Sequence, residues 1–168
     1  MAADQWVLLV DPAWQPGDDA EAPPREAVAG GWLAHADGSI GRFEPNPGYE
    51  PSGPDSPTDA LDAALRVGAD FDRIAAVFRT TTFSVAVDGS GRPMIAPSPD
   101  GVSCLLVASA VAHQRRVRAA GWLTVEATAL AALADKTDVL LNPGAPSCTR
   151  LPAETVRDMV TGLPVERG

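Results

Sequence analysis

The sequence predicts a mixed α/β fold of the α+β kind, one domain built on a mixed sheet. Two patterns carry that expectation. Before residue 100 the apolar stretches pair off around tight turns, as antiparallel hairpins do; after it, strand-like runs alternate with helical ones. With 45% hydrophobic residues among 168, the chain can also bury one real core.

Gln5–Asp11 (QWVLLVD) is a first strand with an unbroken apolar run, stopped by Pro12. Pro12–Glu26 is rich in proline, glycine and acids and lacks periodicity, so it reads as a mobile loop. A hairpin follows: Ala29–Ala36, the turn pair Asp37-Gly38, then Ser39–Glu44, with Trp32 and Ala34 on one face of the first arm. Pro45–Pro57 holds five prolines and must be loop. Ser56 then sits where an N-cap would, with Pro57 at the first helical position and Asp59 in the capping-box slot. That helix ends near Gly68, and a second begins at Asp70, burying Phe71, Ile74 and Phe78 at helical spacing.

Thr81–Val87 is a strand by β-branching, and Asp88–Gly91 turns it back into Arg92–Ala96 as a second hairpin. Val102–Ala108 is the strongest strand of the chain. Ser109 caps a helix over Ala110–Val117, whose Arg115, Arg116 and Arg118 crowd the C-terminal end favoured by cations. Trp122–Thr124 is a short strand, Val125–Leu133 an Ala-rich helix, Asp138–Leu141 a buried strand, Cys148–Leu151 a brief strand and Pro152–Val160 the last helix. The resulting division is a strand and loop at 1–27, an α/β domain at 28–161 and a tail at 162–168. Gly31-Trp-Leu33 with Asn46-Pro-Gly48 echoes Gly121-Trp-Leu123 with Asn142-Pro-Gly144, which raises an internal duplication of 28–68 by 102–160.

The net charge of −9 argues against a nucleic-acid partner, which needs clustered Lys and Arg. No apolar run reaches the ~20 residues that span a bilayer. The N-terminus lacks the basic region and cleavage site of a signal peptide, so a cytoplasmic location is expected. Cys104 and Cys148 form no CxxC, and with only two His the chain offers no zinc spacing and no other metal motif. Cofactor signatures are missing too: the Gly89–Gly91 turn has no GK[ST] after it.

For catalysis the one drawable set is Cys104 with His113 and Asp138, a thiol enzyme in outline. Cys104 lies inside an apolar strand, where thiol pKa rises, and His113 has the surroundings of a surface histidine, so structural roles are favoured. Trp14, Trp32 and Tyr49 lie in or beside proline-rich loops, where aromatics either make protein contacts or cover the edges of a small core. Asn142, Pro143 and Gly144 end a strand in a turn whose backbone N–H groups could hold an anion such as a carboxylate.

Three segments carry a family resemblance: GGWLAHADGSIGRFEPNPGYEPSGPDSPTDALDAAL, APSPDGVSCLLVASA and DVLLNPGAPSCTRL, together most of residues 28–160. The half from Val102 resembles the N-terminal domain of the enhanced-serine-sensitivity (SseB) family. The whole chain is similar to actinobacterial type VII secretion system-associated proteins. The resemblance implies a mixed α/β domain with no agreed enzymatic activity, acting as an accessory beside the secretion machinery. By matching position it marks Asn142, Pro143 and Gly144 as the family's signature. The expectation is therefore a non-enzymatic, cytoplasmic adaptor that binds a protein partner through Trp32, Asn46, Tyr49 and the Asn142–Gly144 turn. An anion-binding domain and a thiol enzyme using Cys104 are the alternatives, and homodimerisation through a sheet edge fits any of them.

Overall fold

The strands fall into two sheets rather than the single sheet expected, and the chain divides with them into two compact units, Met1–Ala63 and Ala64–Gly168. The structure, a computed structural model, describes residues 3–19 and 22–162. The expected tail at 162–168 thus lies, beyond Gly162, outside the described residues, as do Ala20 and Glu21 of the acidic loop. The α+β class holds.

In the first unit, strand β1 (Gln5–Val10) pairs antiparallel with β2 (Val28–Ala34), and β2 with β3 (Ile40–Pro45), in the order β1-β2-β3. The first strand therefore joins the hairpin's sheet instead of standing apart from it at residue 27. Two glycines let this small sheet be covered tightly. A Cβ at Gly31 would stand 2.7 Å from the Val7 carbonyl oxygen and 3.2 Å from the Leu8 side chain. One at Gly30 would overlap the Glu44 carbonyl oxygen and the Phe43 ring. Trp32 and Phe43, opposite each other, stack tilted with centroids 4.9 Å apart. The base of the acidic loop is closed by a short 3-10 turn, Arg25–Ala27, whose Ala27 carbonyl accepts from the Asp11 amide at 2.8 Å.

Helix α1 (Ala60–Arg66) starts three residues later than the capping pattern predicts. Asp59, not Ser56, caps it: its carboxylate accepts the Asp62 amide at 2.9 Å, while Asp62 in turn accepts the Thr58 amide at 2.9 Å. Ser56 is drawn instead to Asp11, to which its hydroxyl donates at 2.8 Å.

The second unit holds helix α2 (Phe71–Thr80), which starts one residue after the expected Asp70 because Asp70 caps it, and a mixed sheet ordered β7-β4-β6-β8-β9. Its members are β4 (Thr82–Val87), β6 (Ser103–Ala108), β7 (Gly121–Glu126), β8 (Asp138–Leu141) and β9 (Thr149–Leu151). Strand β5 (Ile95–Pro97) pairs with β6 alone. Here the predicted second hairpin is only half realised. Val87 bridges Pro93, and the Met94 amide still donates to Ala86, but beyond Met94 the second arm leaves β4 and follows β6.

β6 and β8 are the parallel pair, and the chain between them forms α3 (Val111–Gln114), β7 and α4 (Ala127–Leu133). Helix α5 (Ala153–Thr161) closes the unit, packing with α2 and α4 on one face of the sheet. Phe78, Phe83, Val85, Val107, Leu130, Val139, Leu141 and Val156 are fully buried there. The opposite face carries a second cluster, Ala86, Cys104, Leu106 and Leu140, edged by half-buried Met94, Val117, Trp122 and Cys148. Apolar side chains on both faces of β6 explain why it reads as an uninterrupted hydrophobic run.

The duplication expected from the GWL and NPG echo is not the architecture observed. The first GWL lies in a central strand and its NPG follows the neighbouring strand; the second lies in an edge strand, with two strands between it and the strand preceding its NPG. The turns differ too. Gly144 has φ +76 behind Pro143, a type II turn, while Gly48 has no positive φ.

Candidate functional site

In the first unit the proline-rich loop is organised around one carboxylate. Asp11, buried at the end of β1, accepts five hydrogen bonds: the Ala13 amide (2.9 Å) and Ser56 hydroxyl (2.8 Å) on Oδ1, and the Ser52 amide (3.2 Å), Ser52 hydroxyl (2.8 Å) and Tyr49 hydroxyl (3.1 Å) on Oδ2. Burial pushes this carboxyl up, but the hydrogen bonds from Ala13, Ser52 and Ser56 outweigh it and hold the pKa at about 2. Tyr49 also donates to the Pro57 carbonyl at 2.8 Å, and burial next to the Asp11 charge raises its phenol well above the usual value. Tyr49 is thus a loop-closing residue, with its hydroxyl turned inward. Asn46 is likewise structural: its amide donates to the Arg25 and Val28 carbonyls (2.9 and 2.8 Å) and its oxygen accepts the Gly48 amide (3.0 Å).

Trp32 belongs to a surface of a different kind. Val7, Trp32 and Phe43 form one cross-strand row, continued by Ile40 opposite Ala34; Trp6 and Leu8 lie on the other face of β1. Trp6 is 51% exposed, Val7 49%, Leu8 44% and Ile40 66%. Strand β1 is held at both ends. Asp4 accepts from the Ala36 amide (2.9 Å) and meets His35 at 3.2 Å, while Asp11 anchors the other end, so the uncharged middle is presented rigidly.

The Asn142–Gly144 turn lies in the second unit, and the Pro45–Pro57 loop in the first. Asn142 is the one non-glycine with positive φ (+53) among the described residues, and it is fully buried. Its side-chain oxygen accepts the Ser109 amide (2.9 Å), its side-chain nitrogen donates to the Ser109 hydroxyl (3.0 Å), and its own amide donates to Val107 (2.8 Å). This joins the C-terminal ends of β6 and β8. The Ala145 amide turns back to the Asn142 carbonyl at 3.0 Å, and the group reaching the turn from outside is a donor, Arg116, bonded to the Gly144 carbonyl at 2.8 Å. Two of the amides that an anion would need are therefore already used, and Asn142 is a strand clasp.

The thiol triad does not assemble. Cys104 is buried, burial pushes its thiol up, and its sulfur lies 3.2 Å from the Val102 carbonyl oxygen. His113 is buried too, contrary to the surface position expected, because α3 lies against β6 and turns that residue inward. Asp138 is committed elsewhere: it accepts Arg150 Nη1 at 2.7 Å and caps α5 through the Ala153 amide at 3.0 Å, while Arg150 reaches Asp100 at 3.1 Å. Cys148 is half-buried; strand register sets it two strands and about four residues from Cys104, roughly 15 Å at standard strand spacings, too far for a disulfide. Among the described residues, no group of three or more His, Cys, Asp or Glu is placed to hold a metal ion.

The Asp11 clasp was not legible in the sequence because its partners Tyr49, Ser52 and Ser56 lie 38 to 45 residues away. The exposed β1 edge was legible only in outline: an apolar strand without a charge between Asp4 and Asp11. Compared with known proteins, the chain matches no family model, no curated protein and no solved structure. No described helix is long and apolar enough to cross a membrane.

Proposed function

We propose that this chain is a non-enzymatic accessory protein that docks another protein on the three-stranded sheet of its first unit. One observation carries the reading: Trp6, Val7, Leu8 and Ile40 stand exposed on a small sheet whose first strand is tied at both ends by Asp4 and Asp11. Exposed apolar groups on a rigid scaffold are what a docking surface needs. The association with type VII secretion rests on the resemblance of the three segments quoted above, and a cytoplasmic setting is part of the same proposal.

The test is a pull-down from native cytosol with the purified chain, beside an Ile40→Asp variant shown by circular dichroism to be folded. The expected result is capture of a secretion substrate or of the secretion ATPase by the wild type and its loss in the variant. Equal capture by both would remove the sheet from the interface. Recovery of nothing would end the docking reading.

A further inference from the structure

The two edges of the first sheet are built differently. β3 carries Arg42, Glu44 and Pro45, the charges and proline that keep an edge from recruiting another strand. β1 carries none: Gln5–Val10 has no charged residue and no proline, and it is paired on one side only. Four successive residues, Gln5–Leu8, are exposed. Asp4 and Asp11 fix both ends of this strand, so its backbone is already extended before anything binds.

Charge decides what can occupy the edge. The first unit holds twelve acidic and two basic residues, net −10, against ten and eleven in the second, net +1. A second copy pairing through β1 would bring two units of net −10 edge to edge. Like charges at that density oppose self-pairing and favour a cationic partner.

Resting on the docking reading above, we infer that β1 is the acceptor for an extended basic segment of another protein, added as a fourth strand. About six residues match the length of β1, with backbone hydrogen bonds giving affinity and alternate side chains giving selectivity. On one face the segment sets an apolar side chain against Val7. On the other, an arginine or lysine covers the exposed Trp6 indole. Flanking basic residues meet the acidic surface of the unit.

The test uses the full chain and two synthetic peptides in which valine alternates with a charged residue, arginine at the alternate and flanking positions in one and glutamate in the other. Binding is followed by tryptophan fluorescence and by amide hydrogen exchange. The arginine-flanked peptide is expected to bind, to weaken as salt rises, and to protect amides within Gln5–Val10. Val7→Lys should cut its affinity at least about tenfold, the effect of placing a like charge in the pairing edge. Val111→Lys, in the second unit, should leave it unchanged. Equal binding of both peptides, protection outside β1, no binding of either, or a β1-protected homodimer would each overturn the inference. A cytosolic partner lost by Ile40→Asp but retained by Val7→Lys would leave docking in place and remove strand addition alone.

Discussion

At Asp11 a single carboxylate replaces the regular structure that five prolines forbid. Its folded pKa of about 2 lies below the ordinary 3.8, so it contributes stability above pH 4 that is lost as pH falls through the folded value. A shift of that size corresponds to roughly 2 kcal/mol. Asp11→Asn should therefore lower stability by about that amount at pH 6, with the gap to wild type shrinking toward pH 2, as read from urea midpoints across that range. Asn142 combines two costs that substitutions can separate. Asn142→Gly keeps the backbone at ease but loses the Ser109 bonds; Asn142→Ala loses them and also strains a positive φ. Equilibrium unfolding should rank alanine as the worse, by about 1 kcal/mol, with a total near 3 kcal/mol. The turn and the tolerance of left-handed geometry were legible in Asn-Pro-Gly. The Ser109 partner, 33 residues away, was not, and that partner converts a candidate binding residue into a clasp.

Among the elements, three turns share one geometry. In His35–Ser39, Asp88–Arg92 and Ser98–Val102 the first residue exchanges two backbone bonds with the fourth and fifth, and a left-handed glycine (Gly38, Gly91, Gly101) stands fourth. This is the three-residue hairpin loop with a bulge, where the Asp-Gly pair at 37–38 had predicted a two-residue one. A Cβ at any of the three would meet nothing within 4 Å. Changing each to alanine should then cost only its backbone strain, about 1 kcal/mol apiece, and the three should add, as stepwise thermal unfolding of the single and triple variants can check. Strands rich in β-branched residues and helices opening on Asp or Pro were visible in the sequence to within a few residues. Pairing was not. Whether β5 follows β4 or β6, and whether β1 joins the hairpin, depends on contacts no local pattern encodes. α3 was overextended for the same kind of reason: Arg115, Arg116 and Arg118 suit a helix end, but regular helix stops at Gln114.

For the whole molecule, the net charge of −9 conceals an uneven allotment, −10 in the first unit against +1 in the second. Screening should relieve self-repulsion there. Raising sodium chloride from low to physiological concentration is expected to lift the melting temperature by roughly a few degrees, measured calorimetrically. A chain in which that charge were harmless would show no change. The tryptophans are also unevenly divided: Trp6, Trp14 and Trp32 in the first unit, Trp122 beside the outer cluster of the second. Each unit therefore carries its own intrinsic fluorophore. Replacing the first three with phenylalanine leaves emission that reports the second unit only, and Trp122→Phe leaves the converse. Two single-colour denaturation curves then reveal, without cutting the chain, whether the halves melt together or in turn.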